Sequence, residues 1–208
     1  SDWWKVLRGC TTWAFWRGTA SPYEPAFAWY LDMVRKTVDV ARKETGAPRV
    51  ILVGHSAGGW LARAAMGAGT WDETAGTSTE DVVAGLVSLG TPHFPGPADM
   101  TRGALSYTSA TFPGAFLADR GIFYVTVAGS AVEGVEAAPQ GDIRRFSFVS
   151  YQTVCGQGDV GGDTCVPVCS AHLEGAEQIT LPGVYHSINE PDRWYGAETV
   201  VDLWLPAV

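Results

Sequence analysis

Residues 50 to 60 read Val-Ile-Leu-Val-Gly-His-Ser-Ala-Gly-Gly-Trp, a short apolar run followed by Gly-x-Ser-x-Gly with Ser56 at its centre. This is the most informative stretch of the chain. A buried strand that ends in such a pattern turns sharply into a helix and holds the serine hydroxyl exposed on the turn. Gly54 and Gly58 are expected to flank the elbow because side chains there would clash. The helix starting near Ala57 aims its first amides at any negative charge formed at the serine.

A serine hydroxyl is a weak nucleophile at neutral pH and needs a base, and the base needs an acid to fix its tautomer. The histidines are His55, His93, His172 and His186. His55 adjoins Ser56 but points away from it on the elbow, to pack or hydrogen-bond beside the strand. In the strand-turn-helix context the order is serine, then acid, then histidine. His172 and His186 both satisfy that order, and His186, in a loop after the last expected strand, has the better position. Acids between Ser56 and His186 include Asp99, Asp119, Glu133, Glu136, Asp142, Asp159 and Asp163. Asp163 sits in Gly-Gly-Asp-Thr-Cys-Val-Pro, a tight turn feeding an extended run, and is favoured, with Asp159 as the reserve acid.

The elements that must carry these residues follow from pattern. Residues 21–46 read as a helix with Pro25 at its start and a stop at Gly46-Ala47-Pro48. Phe27, Tyr30, Met33, Val34, Val38 and Ala41 recur on one face of it. Residues 50–53 suit a central parallel strand, 58–66 a helix, and 67–80 a surface loop. Strands are expected over 82–89, 121–129 and 178–181, and a closing helix over 198–205. The Gly- and Pro-rich stretch 95–120, with Phe94, Met100, Leu105, Tyr107, Phe112, Phe116 and Leu117, suits a lid or pocket wall rather than a regular element. Strands alternating with helices imply an α/β class: a mostly parallel sheet with helices on both faces and sites at the strand C-termini. Residues 1–208 read as one domain with a lid-like insertion at about 94–120.

The formal net charge is −8, and the only lysines are Lys5, Lys36 and Lys43, which argues against a nucleic-acid partner. No apolar run reaches the length of a membrane span. The start at Ser1-Asp2-Trp3-Trp4 lacks Met, and an upstream portion is expected. Cys155, Cys165 and Cys169 cluster, with Cys10 apart. Zinc would need a fourth ligand such as His172, and the spacing is not that of a standard finger. Free thiols or one disulfide fit better. No cofactor and no metal are expected.

The motifs together resemble the α/β-hydrolase superfamily. The similarity is to lipase-like members related to GPI inositol-deacylases and triacylglycerol lipases, among them plant and algal proteins. The residues that carry it are the run Gly54 to Arg63, Leu89-Gly90-Thr91-Pro92-His93, Gly162-Asp163-Thr164-Cys165-Val166-Pro167 and Gly183-Val184-Tyr185-His186-Ser187. The resemblance implies an α/β-hydrolase fold whose N-terminal strands are missing here. It implies Ser56 as nucleophile, Asp163 as acid, His186 as base and the Ala57 amide as one oxyanion donor. His55, His93, Phe94 and Phe112 would line the substrate pocket. The implied activity is a serine ester hydrolase working through an acyl-enzyme on a small ester or lipid. The alternatives are an acyltransferase, or a non-catalytic subunit with a protein partner. A plastid or other organelle is the expected location. One departure stands out. Family members supply a second oxyanion amide from a His-Gly or Pro-Gly loop, and no such loop precedes Ser21. It belongs to an upstream portion or is lacking, and a protein lacking it would lose on the order of a hundredfold in rate.

Overall fold

A computed structural model describes residues 2–68, 70–72 and 76–208. The strands are β1 (Val50–His55), β2 (Thr70–Asp72), β3 (Thr77–Ser78), β4 (Val83–Leu89), β5 (Phe123–Ser130), β6 (Val132–Glu133), β7 (Gly161–Gly162) and β8 (Glu177–Pro182). The helices are α1 (Trp13–Arg17), α2 (Ala28–Thr45), α3 (Ala57–Gly67), α4 (Thr79–Val82), α5 (Ala104–Thr111), α6 (Ile143–Cys155), α7 (Val168–Ala171) and α8 (Glu198–Trp204).

The central sheet runs β1-β4-β5-β8 with every neighbouring pair parallel. Parallel strands buried on both faces favour Val, Ile and Leu, and β4 and β5 follow that rule. Alternation sends successive side chains to opposite faces. Leu86 and Tyr124 pack with Val38 of α2 and with Ala62 and Met66 of α3. Val87, Val125 and Val127 face the other way, onto Val200 and Trp204 of α8. Each fully buried Val or Leu stabilises the fold by about 1.5–3 kcal/mol, so both layers are held by this one alternation. The result is a parallel sheet with helices around it, consistent with the α/β-hydrolase fold expected from the motifs.

Several expectations need correction. The 50–53 strand forms, but it stands at the edge of the described sheet rather than at its centre. Ile51 is 41% and Val53 55% exposed there. The first long helix starts at Ala28, because Phe27 and Ala28 both turn back to the Glu24 carbonyl. Pro25 therefore lies in the turn before the helix. The stop is as read: Gly46 takes φ 71° and its N–H caps the Arg42 carbonyl. Within the expected loop 67–80, β2 and β3 pair antiparallel and α4 follows, opened by a reciprocal Ser78–Asp81 cap. Gly69 and residues 73–75 of that loop lie outside the described residues. The stretch 95–120 holds a regular element after all, α5, with Ala104, Leu105 and Thr108 buried. Among the described residues, no helix is long and apolar enough to cross a membrane.

Candidate active site

Ser56 follows β1 directly, and its N–H still donates to Leu89 O in β4 at 2.9 Å. Its backbone sits at φ 54°, ψ −130°, a region that costs a non-glycine residue on the order of 1–3 kcal/mol. The sheet bond on one side and α3 on the other hold it there. A Cβ on Gly54 would come within 2.6 Å of the Gly59 backbone, so strand and helix meet with no room for a methyl group. Gly59 is equally confined, since a Cβ there would overlap Thr91 Oγ1. Gly58 is not, because its nearest neighbour would be Tyr30 Oη at 3.1 Å. Of the two motif glycines only Gly54 is tight, and the second tight position is Gly59.

Asp163 is carried by a ribbon that grows out of β5. Val132 and Glu133 pair antiparallel with Gly162 and Gly161, which delivers the next residue, Asp163, beside the sheet's C-terminal edge. The loop closes on itself. Asp163 Oδ1 accepts from the N–H of Cys165 at 3.0 Å and of Val166 at 2.7 Å. Thr164 takes φ 95° and its N–H donates to the Tyr151 hydroxyl of α6 at 2.9 Å. Burial pushes the Tyr151 phenol up to about 12, so it keeps its proton, which goes to the Val132 carbonyl at 3.1 Å.

His186 lies in the loop after β8 and is tied to the acid twice. Its N–H donates to Asp163 O at 2.8 Å, and its Nδ1 lies 2.8 Å from Asp163 Oδ2. Nε2 lies 3.0 Å from Ser56 Oγ. A proton on Nδ1, held by the carboxylate, leaves Nε2 as an acceptor for the serine proton. Asp163 is 0% exposed, so little water competes for its carboxylate. The structure thus brings together the three residues that the motifs suggested.

Two more residues complete the arrangement. Tyr195, fully buried, donates its hydroxyl proton to Asp163 Oδ2 at 2.7 Å and accepts from Gly129 N–H at 2.7 Å. Burial, and then the nearby Asp163 charge, raise its phenol well above the usual range, which keeps it a donor. Gly90, at φ 53°, leaves the space: a Cβ there would lie 2.6 Å from Asp163 Oδ2 and 2.7 Å from Tyr195 Oη. No spacing pointed to Tyr195, the second residue of the pair Trp194-Tyr195 in a turn-rich tail. The second residue is His55. Its Nε2 donates to the His186 carbonyl at 3.0 Å, and the two imidazoles lie 4.7 Å apart at 40°. Desolvation, and then the neighbouring His186, lower its proton affinity.

A cavity of about 260 Å³ opens beside Ser56. Ala57, Trp60, Phe94, Met100, Leu105 and Val166 give it an apolar wall. Asp99 also borders it, but both of its carboxylate oxygens are occupied by Thr101, Gly103 and Ser106. Phe94 is where the motifs placed it. The other three expected pocket residues are not. His55 stands behind His186. His93 is fully buried, with Nε2 2.9 Å from Ser88 Oγ and its N–H on Ser170 O. Phe112 stacks on Phe116 at 5.1 Å and fills the space above Gly67. The reserve acid Asp159 is exposed, in a hollow shared with Glu136 and Gln152. His172 is engaged between strands, by Thr126 Oγ1 at 2.9 Å and Thr180 Oγ1 at 3.0 Å. The four cysteines are free thiols, and no cluster of three or more metal-ligating side chains occurs among the described residues.

No curated protein matches the chain. Residues 27–113, which carry α2, the Ser56 elbow, α3 and β4, match the family model of the PGAP1-like alpha/beta domain. That family is a GPI inositol-deacylase-like α/β-hydrolase family, which is consistent over those residues with the lipase-like α/β-hydrolase resemblance.

Proposed function

We propose that the chain is a serine ester hydrolase that works through an acyl-enzyme on Ser56. The observation that carries the reading is the continuous relay Ser56 Oγ, His186 Nε2, His186 Nδ1, Asp163 Oδ2, with steps of 3.0 and 2.8 Å. Ser56 Oγ attacks the ester carbonyl while His186 Nε2 takes its proton. The Ala57 amide, at the start of α3, stabilises the oxyanion. His186 then gives the proton to the leaving alkoxide. Water, deprotonated by the same imidazole, releases the acid and restores the serine. Asp163 holds the imidazole in the tautomer this needs and stabilises its charged form.

The acyl group fits the apolar cavity beside Ser56. The same acyl-enzyme can pass its acyl group to an alcohol instead of water. Hydrolysis of p-nitrophenyl esters of graded chain length, with and without competing alcohols, tests the reading. Turnover lost in Ser56→Ala is expected. Turnover that persists in Ser56→Ala, or none in the folded wild type, would overturn it. Ester products formed in preference to acid would make the protein a transferase.

A further inference from the structure

The proposed chemistry leaves unused a band of exposed apolar side chains around the mouth of the Ser56 cavity. Its centre is the turn 94–103, where Met100 lines the cavity and is 76% exposed. α1 packs on one side of this turn. Arg102 donates from Nε to Phe15 O at 3.0 Å and from Nη2 to Trp16 O at 2.6 Å, and the Ala20 N–H returns to Arg102 O at 2.9 Å. α6 packs on the other side, with the Thr153 and Val154 carbonyls against Gly96. Ser150, Thr153 and Val154 of α6 border the cavity, and Phe146 and Val149 just before them are exposed.

The α1 side of the band combines tryptophan with arginine. Trp13 and Trp16, about one turn apart on α1, are 71% and 59% exposed. Trp4, in the 3₁₀ segment Asp2–Thr11 that precedes α1, is exposed as well. The Arg17 guanidinium lies 5.2 Å from the Trp13 ring centre, and that of Arg8 lies 6.0 Å from the Trp4 ring centre. Residues 1–20 hold Lys5, Arg8 and Arg17 against Asp2 alone, in a chain whose net charge is −8. The cations are thus gathered where the tryptophans are exposed.

We propose that this band docks the protein on an anionic lipid surface, with the mouth of the Ser56 cavity held against it. Exposed apolar clusters of this kind mark interaction sites. The arginines decide which kind. An apolar protein partner would have to strip water from guanidinium groups that stand beside the rings, which is costly without a carboxylate to meet them. At a lipid surface the indole ring lies at the headgroup level and the guanidinium meets phosphate, so both groups keep suitable neighbours. Arg102 fastens α1 to the turn that carries Met100, so a surface that holds Trp13 and Trp16 also lies beside the cavity mouth. The inference rests on the ester-hydrolase reading only for what the docked surface would supply, a lipid acyl ester.

The test reads binding, not turnover. The full chain is pelleted with vesicles of phosphatidylcholine alone, and of phosphatidylcholine and phosphatidylserine in equal parts, at low and high salt. Binding to the mixed vesicles should be roughly tenfold or more the stronger, and should fall severalfold at high salt. Trp13→Ser with Trp16→Ser should lower it by roughly tenfold or more. Arg17→Gln, which leaves both indoles in place, should lower it severalfold on the mixed vesicles and leave the binding to phosphatidylcholine unchanged. Ser56→Ala should bind like the wild type, so a chain that hydrolyses no ester can still dock, and a chain that fails to dock can still hydrolyse a soluble ester. No pelleting, equal affinity for the two vesicles, or full binding by the double tryptophan variant would overturn the proposal. So would a dimer in sedimentation velocity that the same variants abolish, since a second copy would then cover this face.

Discussion

Tyr195 donates its hydroxyl proton to Asp163 Oδ2 at 2.7 Å, on the same oxygen that holds His186 Nδ1. Tyr195 is therefore a positioning residue. It draws on the carboxylate's charge and restrains its rotation. Tyr195→Phe keeps the ring and removes only the hydroxyl. It also leaves the buried Gly129 N–H without its acceptor. A loss of about 1.5–3 kcal/mol is expected in denaturant unfolding, the range for hydrogen bonds to charged groups. In the kinetics kcat should fall with KM nearly unchanged. A purely structural role would lower the stability but leave kcat of the folded protein in place.

His55 supports His186 from behind, through its Nε2 bond to the His186 carbonyl and the ring contact. His55→Ala should loosen the imidazole without touching Ser56. Misplacing a catalytic group by about 1 Å costs about a hundredfold in rate, and a loss of up to that size is expected in kcat. His55→Gln, whose amide can still donate, should recover part of it.

The elbow glycines should not behave alike. Gly59→Ala places a methyl group onto Thr91 Oγ1 and should destabilise by about 1–3 kcal/mol, as overpacking does. Gly54→Ala, against the Gly59 backbone, should be as costly or worse. Gly58→Ala, with only Tyr30 Oη nearby, should be neutral or gain up to about 1 kcal/mol in helix propensity. Thermal unfolding of the three variants checks the ranking.

Acid should unfold the protein through His93. Its side chain is fully buried, and desolvation, then Arg63 and His172, hold its proton affinity well below the usual histidine value. The folded state keeps it neutral, while the unfolded chain protonates it near the ordinary value. Stability present above about pH 6.5 is therefore lost as pH falls. The slope for one such proton is about 1.4 kcal/mol per pH unit. Urea unfolding between pH 7 and pH 5 reads the slope, and His93→Asn should flatten it even if the variant is less stable throughout.

The main strands and helices α2 and α3 were legible because their signals are local. The run at residues 50–53, the Gly46 stop and the β4 and β5 runs each declare themselves within a few residues. The trio Ser56, Asp163 and His186 came from motif order, since each motif follows a strand that delivers it to one edge of the sheet. What escaped reading was set by tertiary contact. Helix α6 was not read at all: Ile143, Phe146 and Val149 are exposed, and only Ser147 and Tyr151 are buried within it. Its amphipathic stripe therefore points the wrong way for a simple core pattern. Tyr195 matters only because Gly90 leaves room beside Asp163. His93 and Phe112 were assigned to the pocket from their place after a strand and in an aromatic stretch. The structure buries His93 fully and lays the half-buried Phe112 against Phe116.

The most direct test of the central claim is covalent labelling with a fluorophosphonate, located by peptide mapping. A single adduct on Ser56 is expected, absent in Ser56→Ala and formed about a thousandfold or more slowly in His186→Gln. A folded chain that takes no adduct at Ser56, or one labelled as fast without His186 as with it, would contradict the account.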